Sequence, residues 1–275
     1  MLDTLTFMAP PIAASIIIVG MHSYLGIHVL KRGIIFVDLA LAQIAALGTI
    51  VGLALGIAAQ TPVSYILSLS FVFLGAVIFA ATRPKEKNIP QEAIIGIVYG
   101  LSIAVAMAIA DKLSAGGQHI KEILTGNLLW VNWTMIVRLA LVYAVIAAFH
   151  IIFRHKFLML TERYDRRGET EKVSRFWDFL FFVSFGIVIS LSVPIAGVLL
   201  VFSFLMIPAA ISGFFASGWN RRIGISWIAG VTGSLLGFFY SYTQNAPTGP
   251  AIICILGLFL LLTPAFRSVF LRKTI

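Results

Sequence analysis

One carboxylate and one amide stand inside a long apolar run that begins with two basic residues, K-R-G-I-I-F-V-D-L-A-L-A-Q-I-A-A-L-G, from Lys31 to Gly48. The acid is Asp38 and the amide is Gln43. A carboxylate in sequence this apolar is costly, so by default it marks a functional position. Its chemistry is that of a hard oxygen ligand or gate on a cation path. The alternative is a helix-start carboxylate near the inner membrane surface, paired with Lys31 or Arg32 six or seven residues earlier. Gln43 either bridges two helices through its amide or lines the same path. On an ideal helix a spacing of five turns Gln43 about 140° away from Asp38, and a π-bulge would bring it back.

The other polar groups signal less. His22 lies in the first apolar span with no partner nearby in sequence, and reads as a packed, hydrogen-bonded histidine or as a third path residue. His150 and His155 fall near the inner surface, as interfacial groups. His119 sits beside Lys121 in an outer loop, where a ligand role is weakly signalled, and Asp111 with Lys112 reads as the cap of a helix end.

Several chemistries are absent from the sequence. There is no G-x-x-x-x-G-K-[ST], so no nucleotide is held by a P-loop of this chain. H-E-x-x-H, G-x-S-x-G and D-x-D are missing too, and no Ser/His or Asp pair stands at helical spacing as an intramembrane protease needs. The chain reads as no enzyme and as binding no cofactor of its own. Cys254, the single cysteine, rules out an internal disulfide and a cysteine metal cage.

The elements that must position these groups follow from composition. Of 275 residues 60% are hydrophobic and 11% charged, and the mean hydropathy is +1.00. A soluble domain carries about 25% charged residues. Apolar spans of membrane-crossing length recur at 7–30, 34–57, 63–82, 93–111, 133–153, 177–193, 195–217, 223–243 and 250–270. The sixth and seventh are split only by S-V-P-I-A-G, Ser192 to Gly197. Pro194 and Gly197 either make a tight turn, giving nine spans, or break one re-entrant helix, giving eight. The expectation is an all-α polytopic bundle of 8–9 transmembrane helices forming one domain over 1–275. Period-2 alternation of a membrane barrel is absent.

The net charge of +9 is not spread as a nucleic-acid stripe. All of the 20 Lys and Arg except Lys112, Lys121 and Arg138 fall in loops on one side of the spans. That asymmetry is the positive-inside pattern, placing the N-terminus outside and the C-terminus inside. The first residues carry Asp3 and no Lys or Arg, the wrong start for a cleavable signal peptide.

Small residues are laddered every four positions at Gly48, Gly52 and Gly56, at Gly96 and Gly100, and at Gly233 and Gly237. The spacing lets another backbone approach one helix face, for packing or for sliding along a pore. Pro208 interrupts the seventh span, and Ser203 and Ser212 are placed to satisfy backbone groups it frees. One inner segment, Arg154 to Arg175, is longer and more polar than the other loops. Phe157, Leu158 and Leu160 followed by Glu162, Arg163, Asp165, Arg166 and Arg167 suit a short amphipathic helix capped by Gly168. It reads either as a charged loop at the lipid surface or as a docking helix for a cytosolic partner, over about 154–176.

Four strings and this segment, in order, resemble the permease subunit of bacterial ABC importers for zinc, manganese and iron. They are Leu30 to Gly48, L-T-G-N-L-L-W-V (Leu124 to Val131), I-A-G-V-L-L-V-F-S-F-L-M-I-P-A-A (Ile195 to Ala210) and N-A-P-T-G-P-A-I-I (Asn245 to Ile253). The resemblance implies a permease in the bacterial inner membrane, paired with a second copy as a homodimer. It implies two cytosolic ABC ATPase subunits that carry the ATP, and an extracytoplasmic metal-binding protein. Leu158, Leu160, Glu162, Arg163 and Gly168 would couple the permease to the ATPase, and Asp38 would meet a divalent metal, zinc or manganese, on its way to the cytoplasm. The family's second helix typically carries Asp-x-x-x-His, and here Ala42 stands four residues after Asp38. That departure keeps a different cargo of the same fold, iron or a metal chelate, as the alternative. A secondary transporter or channel without an ATPase, or a non-transporting scaffold, are the rivals from other classes.

Overall fold

A computed structural model describes residues 2–59, 61–82, 89–113, 116–162 and 175–270. Every regular element among them is helical: α1 Leu2–Arg32, α2 Val37–Ala54, α3 Pro62–Ala81, α4 Gln91–Ala110, α5 Gly116–Thr125, α6 Trp133–Ile152, α7 Arg154–Glu162, α8 Arg175–Ala196, α9 Val198–Phe215, α10 Trp219–Gln244 and α11 Thr248–Phe270. A single 3-10 turn, Leu128–Trp130, lies between α5 and α6. Among the described residues nine helices are long and apolar enough to cross a membrane, all but α5 and α7. Ile97, Leu101, Leu141, Val145 and Leu261 are exposed, as lipid-facing residues of such helices are.

The junction of α8 and α9 settles the span count at nine for the described residues. Gly197 adopts φ +79°, a backbone region that disfavours any side chain, and the chain turns there from one helix into the next. The loop after α5 seals this turn. Asn127 donates its N–H to the Ile195 carbonyl at 3.0 Å. Gly126, also at positive φ, has no room for a Cβ against Ala196 and Gly197.

The chain divides into two compact units. The first is Met1–Leu30, Thr125–Tyr143 and Ile195–Ile275. In it α10 packs on α9 and α11, and α9 on α11. The Gly233/Gly237 ladder is a true packing face: a Cβ on Gly233 would strike Leu256, and one on Gly237 would come within 2.6 Å of the Ile252 backbone. Gly26 of α1 is tighter still, since a methyl there would collide with the Leu205 carbonyl of α9. Around Pro208 the α10 helix supplies the polar partners. Ser226 donates its hydroxyl to the Pro208 carbonyl at 3.1 Å, and Arg222 donates to the Ala209 carbonyl at 3.3 Å. Ser203 and Ser212 instead donate within their own helix, to Leu199 and Ala209.

The second unit is Lys31–Leu124 and Ala144–Pro194. Here α2 packs between α3 and α4. Gly48 lies so close to α3 that an added Cβ would sit 2.9 Å from the Ser68 Cα, and the Ser68 hydroxyl donates to the Ala45 carbonyl at 2.9 Å. The ladder ends at Gly52: Gly56 falls beyond α2, at φ +79° with nothing near it. Gly96 and Gly100 likewise meet nothing within 4 Å, so the expected close approach at α4 is not made among the described residues. The core of this unit is aromatic, with Phe79, Phe157, Phe181, Phe182 and Phe185 fully buried.

Candidate functional site

Asp38 lies in the first turn of α2, two residues after the Phe36 N-cap. Its position is that of the helix-start carboxylate, where the positive end of the helix dipole favours a negative charge. It is 1% exposed, and neither carboxylate oxygen has a hydrogen-bond partner among the described residues. The expected alternative pairing with Arg32 is not made. Arg32 turns instead to Asp178, at 3.2 Å. A buried carboxylate with both oxygens open is expensive, and such a group is satisfied when a cation reaches it.

Gln43 is also buried on α2. The helix is regular from Val37 to Ala54, with no π-bulge, so Gln43 stays on a different face from Asp38. His22 belongs to the first unit, on α1, fully buried. Its Nδ1–H donates to the Ile18 carbonyl one turn back at 2.8 Å, and its ring lies 6.4 Å from that of Tyr143. The three expected path residues are thus divided between the units, and among the described residues no group of three or more His, Cys, Asp or Glu converges to hold a metal.

The start of α2 is held by a residue the sequence reading passed over. Glu92, half-buried at the start of α4, accepts the Phe36 N–H at 2.8 Å. It thereby satisfies one of the amides that every helix N-terminus leaves open. Its second oxygen, Oε2, is buried with no hydrogen-bond partner.

The start of the polar inner segment is helical, as α7, which begins at Arg154, three residues before the expected apolar run. It is amphipathic in the expected sense. Phe157, Leu160 and Thr161 are buried, Leu158 is half-buried, and Arg154, His155, Lys156 and Glu162 are exposed. The spacing of the buried residues is one helical stripe. Arg163 and Gly168 lie outside the described residues.

What holds α7 is a buried polar cluster. The Arg32 guanidinium donates from Nε to the Thr161 hydroxyl at 2.9 Å and from Nη1 to Asp178 at 3.2 Å. It also lies 3.8 Å above the Phe181 ring, a cation–π contact. His150 is not interfacial as expected but 2% exposed. It stacks flat on Phe157 of α7, with centroids 4.1 Å apart. Its Nε2 meets the Ser184 hydroxyl at 2.8 Å, and Ser184 spends its proton on the Phe181 carbonyl, so His150 is the donor. The signal for this cluster was in the sequence: Asp178 is an acid within an apolar span, as Asp38 is.

Comparison with known proteins gives the same fold. The model of the ABC 3 transport family matches residues 4–267. A probable metal transport system membrane protein of Chlamydia muridarum is 26% identical over 168 residues, 61% of this chain and 57% of that relative's own length. The high-affinity zinc uptake system membrane protein ZnuB of Buchnera aphidicola is 27% identical over 208 residues, 74% of this chain and 78% of the relative. Among solved structures, PsaBC from Streptococcus pneumoniae in complex with Fab superposes with a TM-score of 0.77 at 23% identity, covering 95% of this chain and 93% of that one. With the family model running nearly end to end over a nine-span helical fold, this chain belongs to the ABC 3 transport family.

Proposed function

We propose that this chain is the permease subunit of an ATP-driven importer that moves a divalent metal ion, zinc or manganese, into the cytoplasm. The observation that carries the reading is Asp38: a fully buried carboxylate on a membrane-spanning helix, with neither oxygen partnered among the described residues. An oxygen pair of that kind suits a hard or borderline cation in transit. A single strong ligand without a closed cage also suits transport, which needs release as much as binding. Gln43 and His22 enter the proposal as further path residues, each a buried polar group in an apolar span. Relatives named for metal and for zinc transport support the choice of cargo.

The remaining assembly follows from the same reading. ATP is bound and hydrolysed by cytosolic ABC ATPase subunits that dock on α7, whose outer face shows Arg154, His155, Lys156 and Glu162. A second permease copy completes the membrane part as a homodimer, and an extracytoplasmic metal-binding protein delivers the ion. The complex lies in the bacterial inner membrane, N-terminus outside and C-terminus inside, following the placement of the basic loops.

Ala42, standing where the resembled family carries histidine, favours one second reading: iron or a metal chelate, which needs fewer nitrogen ligands from the path. The test is uptake by cells that express this chain with its ATPase, given zinc, manganese or an iron chelate in parallel. Zinc or manganese uptake that needs both Asp38 and ATP hydrolysis supports the first reading. Uptake of the chelate alone supports the second, and no ATP-dependent uptake of any of the three contradicts both.

A further inference from the structure

We propose that Arg32 is the positioning residue that ties α7 to the helix start carrying Asp38, so that a displacement of α7 by its cytosolic partner moves the carboxylate. The inference rests on reading α7 as the docking helix and Asp38 as the path residue. Its warrant is the convergence of three elements on one guanidinium. Thr161 comes from α7, and Asp178 and Phe181 from α8, while Arg32 itself is the last residue of α1. A planar fork can donate in two directions and stack on a ring at once, which a lysine ammonium cannot. The Phe157–His150 stack and the edge contact of Phe157 with Trp177 pack α7 further, against α6 and α8.

From Arg32 the route to Asp38 is short and stiff. Gly33 turns the chain at φ +65°. The Val37 N–H reaches back to the Ile34 carbonyl at 3.2 Å, and Glu92 grips the Phe36 N–H at 2.8 Å. Five residues lie between Arg32 and Asp38, and hydrogen bonds at Phe36 and Val37 tie this short link down. All of these groups belong to the second compact unit. Packed elements of this kind shift between discrete arrangements instead of deforming smoothly.

The test uses the full chain assembled with its ATPase in lipid nanodiscs and vesicles, in a Cys254→Ala background. Spin labels go on I35C and E162C, both exposed positions flanking the link. In the otherwise unaltered link, the label-to-label distance stays constant between nucleotide-free and ATP–vanadate-trapped complexes. With Arg32→Gln the distance changes on trapping, and metal uptake per ATP hydrolysed falls about tenfold, within the range of ordinary coupling energies. Arg32→Lys, which keeps a charge for Asp178 but not the fork, falls between. Since Arg32→Gln takes the counter-charge from the buried Asp178, the double variant Arg32→Met/Asp178→Leu serves as the folded control without the link. It is expected to lose coupling as Arg32→Gln does. The proposal is overturned if both variants keep uptake per ATP and a constant distance, or if the distance in the unaltered link itself changes on trapping. A complex that hydrolyses ATP and moves no divalent metal refutes the cargo reading alone, since the label distances still decide the role of Arg32.

Discussion

At the scale of single residues, Asp38 and Asp178 show how one rule yields two outcomes. Both are acids buried in membrane-spanning helices. Asp178 has Arg32 at 3.2 Å, and Asp38 has no partner among the described residues. Removing each therefore has opposite consequences. Asp38→Asn should leave the melting midpoint of the detergent-solubilised protein unchanged or raised, because a buried unpaired charge is a cost to the fold. Asp178→Ala should destabilise by about 3–5 kcal/mol, because it takes the counter-charge from the buried Arg32 guanidinium, whereas Arg32→Met/Asp178→Leu should be near neutral. Thermal unfolding followed by tryptophan fluorescence reads all three. His22→Phe is expected to cost less than Asp38→Asn in uptake, since the Nδ1–H of His22 is already engaged by Ile18 in its own helix. The sequence made Asp38 visible because a lone acid in an apolar run stands out. It could not show that Arg32 would choose an acid 146 positions away over one six positions away. That choice is tertiary, set by α8 placing Asp178 and Phe181 under the same guanidinium.

At the scale of elements, glycine spacing was informative only where a neighbouring helix was there to use it. Gly233 and Gly237 meet α11, and Gly48 meets α3, but Gly96 and Gly100 carry the same spacing and meet nothing within 4 Å. Gly26, outside any ladder, makes the closest approach to a backbone carbonyl. Gly26→Ala should accordingly destabilise by about 1–3 kcal/mol through overpacking. Gly96→Ala should be neutral or stabilise by up to about 1 kcal/mol through helix propensity. Denaturation in mixed micelles distinguishes the two. The helix α7 was legible from the amphipathic start of its polar segment. What fixes it was legible only in part: Asp178 stands out as an acid in an apolar span, but Thr161 and His150 look like ordinary loop and surface residues until Arg32 and Ser184 meet them.

At the scale of the whole molecule, the positions of the spans were legible to within about four residues at each end, since membrane-crossing length and basic loops are strong, redundant signals. The ambiguity of eight or nine resolved on one glycine, Gly197, whose positive φ no pattern of hydropathy reports. The division into two compact units was not legible at all: each is assembled from separated stretches of chain, and only the folded contacts reveal it. The basic loops also make a topological prediction. A green fluorescent protein fused after the last residue should fluoresce, and an alkaline phosphatase fused there should be inactive, both signs of a cytoplasmic C-terminus. The central claim is that a divalent metal passes Asp38 in an ATP-driven complex. It is tested most directly by flux of radioactive zinc and manganese into vesicles holding the complex with ATP on the ATPase side. The unsubstituted permease is compared with Asp38→Asn at equal assembly. The account predicts ATP-dependent flux of one of these ions that drops at least about tenfold with Asp38→Asn, the loss of a charge-assisted contact. Equal flux from both proteins would contradict it.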